Sequence, residues 1–217
     1  MRIALLGGTG GIGEGLSFRL KLAGYEVIVG SRDEGKAKKR ADQYNRIVER
    51  LGGVPDIRGT TNENAAEIAD VVIVAIPWKH AFDTVEKLRE KLRGKIVVSP
   101  IVPMEFEGEA KYTPPEEGSA ALRLARILKD SRIVVAFNNI PAKRFADPEE
   151  TLGWDVVVCS DDEEAKKIVM EIISNIDGLR ALDGGSLENS AFVESLTPFL
   201  INLAKRNGLK DISVKFI

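Results

Sequence analysis

A chain that runs "ALLGGTGGIGEGL" at residues 4–16 has few folds open to it. Ile3–Leu6 is a short β-prone apolar run, and Gly15–Ala23 repeats Leu16, Leu20 and Ala23 at helical spacing. Between them, Gly8-Thr9-Gly10-Gly11-Ile12-Gly13 fits G-x-G-x-x-G, a pattern that carries meaning when a strand precedes it and a helix follows. Gly8 allows the tight turn, Gly10 lets the backbone approach a pyrophosphate, and Gly13 lets the helix pack on the strand. The helix start then offers free N–H groups and partial positive charge to phosphates.

The same alternation continues along the chain. Strands are expected at Glu26–Val29, around Ile57, and at Val71–Ile76, Lys95–Ser99 and Ile133–Phe137. Helices are expected at Lys36–Leu51, Asn64–Ala69, His80–Leu92 and Ser119–Lys129. Near-continuous apolar strands alternating with helices indicate a parallel sheet covered on both faces. The fold class is therefore α/β, a Rossmann-type doubly wound sheet spanning residues 1–141. Residues 142–217 read as a small C-terminal α/β domain. It has strands at Asp155–Ser160 and Leu179–Leu182, and helices at Glu163–Ile173 and Asn189–Arg206. Ile212, Val214 and Phe216 alternate as in a final strand, and Pro198 should kink the last helix. Asn64 with Glu67, and Ser160 with Glu163, have capping-box spacing.

The second strand identifies the anion. NAD-binding chains of this kind end it with an acid that grips the ribose 2′-hydroxyl. Here it ends Val29-Gly30-Ser31-Arg32, and residues 32–40 hold five cations against two acids in a chain of net charge −2. Ser31 can donate to a phosphate oxygen. Arg32 can make paired charged contacts, and Lys36 adds a point charge one turn on. The expected ligand is NADP(H), held through its 2′-phosphate. Lys38, Lys39 and Arg40 read as a solvated helix face.

Other signals narrow the function by what they exclude. The slight acidity argues against nucleic acid as a partner. The single cysteine, Cys159, builds neither a disulfide framework nor a thiolate metal cluster. The longest apolar runs, such as Val71–Pro77, are too short for a membrane span. Met1-Arg2 leads straight into the first strand, so the chain is expected to be cytoplasmic without a signal peptide. Catalytic groups are nearly absent. His80 is the only histidine, and Val29, Val48 and Glu116 stand four residues after the three tyrosines, so there is no Tyr-x-x-x-Lys. Cys159 reads as a buried strand residue, Trp78 as a wall of the pocket, and Glu194 as a residue that caps or pairs within the fold. Hydride passed directly between two bound cofactors needs no protein acid or base, only approach, orientation and exclusion of water.

Several stretches together resemble the coenzyme F420-dependent NADP oxidoreductases: "RIALLGGTG", "VGSR", "IPW", "KIVVSPIVP", "IPAKRFA", "WDVVVCSDD", "IDGLRALD" and "VESLTP". The resemblance covers nearly the whole chain. It implies a homodimer and reversible hydride transfer between the deazaflavin of coenzyme F420 and C4 of the nicotinamide. Carried over by position, Thr9, Gly10, Gly11 and Ile12 line the pyrophosphate, while Ser31, Arg32 and Lys36 hold the 2′-phosphate. Ile76, Pro77 and Val102 flank the nicotinamide. Asn138, Ile140 and Ala142 border the deazaflavin pocket, with Gly208 and Leu209 at its rim. Asn138 stands where the family pattern can carry histidine, and its amide is expected to contact the deazaflavin. Two other functions fit the same residues: an NADPH-dependent reductase of a flavin, ferric iron or an imine, and a non-catalytic NADPH sensor. Imine reductases of related fold carry a longer helical C-terminal domain.

Overall fold

A computed structural model describes every residue from Met1 to Ile217. In chain order the elements are β1 (Arg2–Leu6), α1 (Ile12–Leu22), β2 (Glu26–Ser31), α2 (Glu34–Arg50), β3 (Arg58–Thr61), α3 (Asn62–Ile68), β4 (Val71–Val74), α4 (Trp78–Lys87), α5 (Arg89–Leu92) and β5 (Ile96–Ser99). A hairpin follows, β6 (Met104–Glu107) and β7 (Glu109–Tyr112), then α6 (Ala120–Ile127) and β8 (Arg132–Val135). The remainder is α7 (Ala142–Phe145), β9 (Trp154–Val158), α8 (Glu163–Ser174), β10 (Leu179–Asp183) and α9 (Ser190–Arg206). No helix is long and apolar enough to cross a membrane.

Six strands form one parallel sheet in the order β3-β2-β1-β4-β5-β8. The apolar strands explain it. Alternate residues of β1 enter opposite cores: Ile3 and Leu5 pack with α1, α2 and α8, while Ala4 and Leu6 pack with α3, α4 and α6. Both faces are buried, so every strand residue can be apolar, and period-2 amphipathicity disappears from the sequence. The first of these cores also takes in Phe145, Trp154 and Val156 from the C-terminal segment. There β9 and β10 form a separate parallel pair joined through α8. One antiparallel bridge ties it to the main sheet: Val135 and Cys159 exchange backbone hydrogen bonds of 2.8 and 3.2 Å. Cys159 is fully buried, and burial pushes its thiol up to about 11.

Several expectations need correction. The hairpin Met104–Tyr112 was not anticipated. Residues 212–216 form no strand. Val214 accepts one bond from Asp155 N, but the next donor, Phe216 N, turns to the Asp155 carboxylate at 2.6 Å. That buried carboxylate is paired with Arg180, whose hydrogen bonds lower its pKa. A side chain thus takes the donor that a ladder would need. The helix expected from Asn64 begins at Asn62, and its cap is Thr61, which accepts from Asn64 N at 3.2 Å. Asp162, not Ser160, caps α8 by accepting from Ala165 N, while Ser160 Oγ donates to Ile133 O at 2.6 Å. The helix expected over His80–Leu92 starts at Trp78 and breaks at Leu88. Pro198 lies inside α9, as its place in the sequence implies, with the helix continuing on both sides of it from Ser190 to Arg206.

Glu194, fully buried on α9, holds the junction of three elements. Its two oxygens accept from Ala120 N (2.9 Å), Ala121 N (3.0 Å) and the Tyr112 hydroxyl (2.8 Å). The carboxylate therefore satisfies the first N–H groups of α6. Burial outweighs these bonds and raises its pKa to about 7 from 4.5. Truncation strands two buried N–H donors, so Glu194→Ala should cost about 2–4 kcal/mol in urea unfolding. Between pH 4.5 and 7 the folded chain keeps a proton that the unfolded chain has released. This carboxyl therefore erodes stability as the pH rises across that window, and Glu194→Gln should flatten the dependence there.

Candidate active site

Strand order reverses between β1 and β4, and the loops leaving their carboxyl ends diverge to open a crevice. The glycine loop sits on one side of it. Gly7 takes φ +74°, and its N–H donates to the buried Asn62 side chain at 3.0 Å. Gly8 N–H bonds both Leu5 O and Gly30 O at 3.1 Å, and Gly8 O accepts from the Tyr44 hydroxyl at 3.1 Å. Burial raises the pKa of that hydroxyl and keeps it a donor. Gly13 lies against Gly8, where an added Cβ would come within 2.7 Å of the Gly8 Cα. Around Gly10 and Gly11 a Cβ would meet nothing within 4 Å. The backbone N–H groups of Thr9, Gly10, Gly11 and Ile12 have no acceptor within the protein. Four free donors at the start of α1 beside open space form a cradle that a diphosphate fits.

Across the end of β2, Ser31 is buried and Arg32 and Lys36 are exposed. Ser31 Oγ accepts from Asp33 N at 3.2 Å, which leaves its own proton free to donate. The Asp33 carboxylate is turned away: it accepts from Lys36 N at 3.0 Å as the cap of α2. Arg32 and Lys36 have no carboxylate partner, unlike Lys38, which pairs with Glu34. Their charge is open to an anion.

These residues line one cleft of about 590 Å³. Thr9, Gly10, Gly11, Ile12, Ser31, Arg32, Lys36, Ile76, Pro77, Val102, Asn138, Ile140 and Ala142 all border it. Gly8 and Gly13 do not; they set the loop's shape from behind. A second chamber of about 490 Å³ adjoins it, sharing Met104, Ile140, Ala142 and Thr197. Leu209 lines that chamber, whereas Gly208, at φ +65°, belongs to the turn that ends α9 and borders neither. His80 lines the first cleft from α4, exposed to solvent, and Trp78 closes the edge by donating Nε1–H to Met104 O at 3.0 Å.

Asn138 borders the first cleft, with half of its amide already engaged. Its amide N donates to Ile101 O at 2.9 Å, so the loop after β5 is pinned to the loop after β8. Only Oδ1, buried and without a partner, remains for anything else. The Thr197 hydroxyl bonds Asn138 O. Phe137, just before it, sits at φ +68°, a conformation uncommon outside glycine. Asn62, Thr197 and Met104 also line the clefts and Tyr44 braces the glycine loop, placements that spacing in the sequence does not single out.

A further groove, between α4–α5 and α6, is lined by acids and bases that pair with one another, including Arg126–Glu117 and Arg93–Asp130. It lies toward the amino ends of β5 and β8, away from the crevice.

Residues 2–103 match the family described as "NADP oxidoreductase coenzyme F420-dependent". The chain is 41% identical to the F420-dependent NADP reductase of Methanocaldococcus jannaschii, over 99% of this chain and 97% of that protein. It is 40% identical to the F420-dependent NADP reductase of Methanothermobacter marburgensis, again over 99% and 97%. A crystal structure from Arthrobacter sp. FB24, whose assignment as an F420-dependent NADP reductase is itself provisional, shares the fold: TM-score 0.83 at 24% identity, covering 100% of this chain and 99% of that one.

The glycine contacts yield a direct test. Gly13→Ala presses a methyl onto Gly8 backbone, so the loop must shift, costing about 1–3 kcal/mol in stability. Because the four free N–H groups move with it, NADPH affinity should fall in a fluorescence titration.

Proposed function

The chain belongs to the F420-dependent NADP oxidoreductase family, and from that premise we propose that it transfers hydride reversibly between reduced coenzyme F420 and NADP. One observation supports the reading most directly. The two adjoining chambers form a trench with a diphosphate cradle and free cations at one end, and its waist carries no charged side chain. When both substrates are bound, the nicotinamide C4 and the deazaflavin exchange the hydride with each other, and the protein supplies position.

We assign Thr9, Gly10, Gly11 and Ile12 to the diphosphate through their unpaired N–H groups, with Gly8 and Gly13 shaping the loop. Ser31, Arg32 and Lys36 read the 2′-phosphate. Ile76, Pro77, Val102 and Ala142 form the apolar walls that hold the nicotinamide and exclude water, which would otherwise compete for the reacting atoms. Ile140 and Leu209 face the deazaflavin side, and the Asn138 backbone and side chain fix the wall between the two halves. The deciding experiment mixes the protein with NADPH and F420 and follows the loss of deazaflavin absorbance. No change at any pH from 5 to 9 would sink the reading.

Arg32→Ala should weaken NADP binding by about ten- to hundredfold, the worth of one or two charge-assisted hydrogen bonds, with NAD nearly unaffected. Calorimetric titration of both nucleotides checks this; equal losses would show that Arg32 does not read the phosphate.

The working unit in this reading is a cytoplasmic homodimer. Phe192, Phe199 and Leu203 fall on one face of α9 and are exposed, with Phe192 at 74%. Phe106 of the hairpin is exposed at 66%, and the hairpin is fixed to α9 where Asn202 bonds both Ala110 N and Ala110 O at 2.8 Å. Large aromatic groups held on rigid elements suit burial against a second copy. Light scattering should give twice the 23.7 kDa chain mass, and Phe199→Glu should lower it to the single chain.

A further inference from the structure

The side chain of Asn62 braces the glycine loop with one end only. Gly7 N–H is a donor, so the atom it meets at 3.0 Å is the amide oxygen, and the NH2 group is the end that remains. Nδ2 has no acceptor within the protein, and it is not sealed off: Asn62 lines the first cleft. The residue as a whole is only 8% exposed, so a deeply buried side chain presents an unused donor to the space beside the loop.

Its place decides what that donor can meet. Thr61 stands opposite Ser31 in the β2–β3 ladder, so Asn62 leaves β3 where β2 ends. The Asn62 oxygen lies 2.8 Å from where a Cβ on Gly30 would be, so the amide fills the position that a side chain at the end of β2 would take. In chains of this fold that select NAD, a carboxylate at that end accepts from the ribose hydroxyls. Here an amide from the neighbouring strand stands in its place with the polarity reversed, a donor where the acceptor would be. Ser31, Arg32 and Lys36 supply the other donors on the same border of the cleft, and the Asp33 carboxylate is engaged as the cap of α2. The side-chain groups left open there are donors, and phosphate oxygens only accept. Resting on the NADP reading of this cleft, we propose that Asn62 is a specificity-determining residue whose Nδ2 donates to a 2′-phosphate oxygen of the adenosine ribose. One amide then braces the loop that holds the diphosphate and reads the second phosphate group, so the two subsites share a side chain.

The probes are 2′,5′-ADP and 5′-AMP, which differ only in the 2′-phosphate and need no hydride acceptor. Asn62→Asp keeps an oxygen for Gly7 N–H and replaces the donor with a carboxylate. In calorimetric titrations the wild type should prefer 2′,5′-ADP, and Asn62→Asp should reduce that preference at least about tenfold, one charge-assisted hydrogen bond being lost and a repulsion added. Asn62→Ala loses brace and donor together. The brace serves both ligands alike, so 5′-AMP binding should weaken while the preference still falls by about tenfold. The wild type carries a readout that no variant's folding can spoil: in NMR spectra of nitrogen-labelled protein, the Asn62 side-chain amide signals should shift further with 2′,5′-ADP than with 5′-AMP. An unchanged preference in the variants, or equal shifts with the two ligands, would overturn the inference and leave Asn62 a brace alone. A wild type with no preference for 2′,5′-ADP would instead overturn the NADP reading, and this inference with it.

Discussion

The contact on which the crevice depends joins Asn62 to Gly7. The Asn62 side chain lies where a Cβ on Gly30 would sit, 2.8 Å from its oxygen, and from there it accepts the Gly7 N–H. That bond links the end of β2, the turn after β1 and the first residue of α3. Gly30 therefore does two things. It leaves no carboxylate beside Ser31 and Arg32, and it makes room for the amide that braces the glycine loop. Tyr44 supports the same loop from α2, and Gly13 does so from α1. Three elements thus hold the loop that carries the free N–H groups of Thr9 to Ile12. Such preorganisation is what lets backbone donors bind phosphate without ordering themselves at that moment.

The other half of the trench is held from α9. Thr197 anchors Asn138 O, Asn202 replaces a strand by pairing both groups of Ala110, and Glu194 caps α6. Trp78 completes the frame by binding Met104 O at the start of the hairpin. This half of the trench is thus held largely by side chains that bond backbone, with Glu194 also accepting from the Tyr112 hydroxyl. This gives a rigid wall with few titratable groups in it, which suits a reaction governed by placement.

Much of this was legible in the sequence, and the reasons for the rest are physical. The glycine spacing, the buried strands and the Ser31-Arg32 pair each reflect a local requirement, so they can be read locally. Ser31, Arg32 and Lys36 converge on the cradle because β2 and α2 are consecutive. Asn62 could not be found that way: its role arises from a bond across 55 positions to a glycine. Residues 212–216 alternate as a strand should, yet the buried Asp155 carboxylate captures the donor a ladder needs. The hairpin Met104–Tyr112 has weak strand signals because its outer face is solvated and its inner contacts come from α9. The caps expected at Asn64 and Ser160 stand three and two residues away, at Thr61 and Asp162, since neighbours of similar chemistry compete for the same N–H groups.

The exit of β8 shows where the structure gives up stability. Phe137 is fully buried at φ +68°, in a region that costs a non-glycine residue about 1–3 kcal/mol. The twist sends the two amides that follow to different partners. Asn138 Nδ2 donates to Ile101 O, toward β5, and Asn139 Nδ2 donates to Asp155 O at 2.7 Å, toward β9. One strained residue thereby fastens the main sheet to the C-terminal segment at the boundary between the two chambers. Each amide spends its donor on this and leaves its oxygen buried without a partner. An unmet buried acceptor costs about 1–3 kcal/mol, so strain and desolvation accumulate at the one wall shared by both halves of the trench. The wall exists because the surrounding sheet is stable enough to impose that geometry.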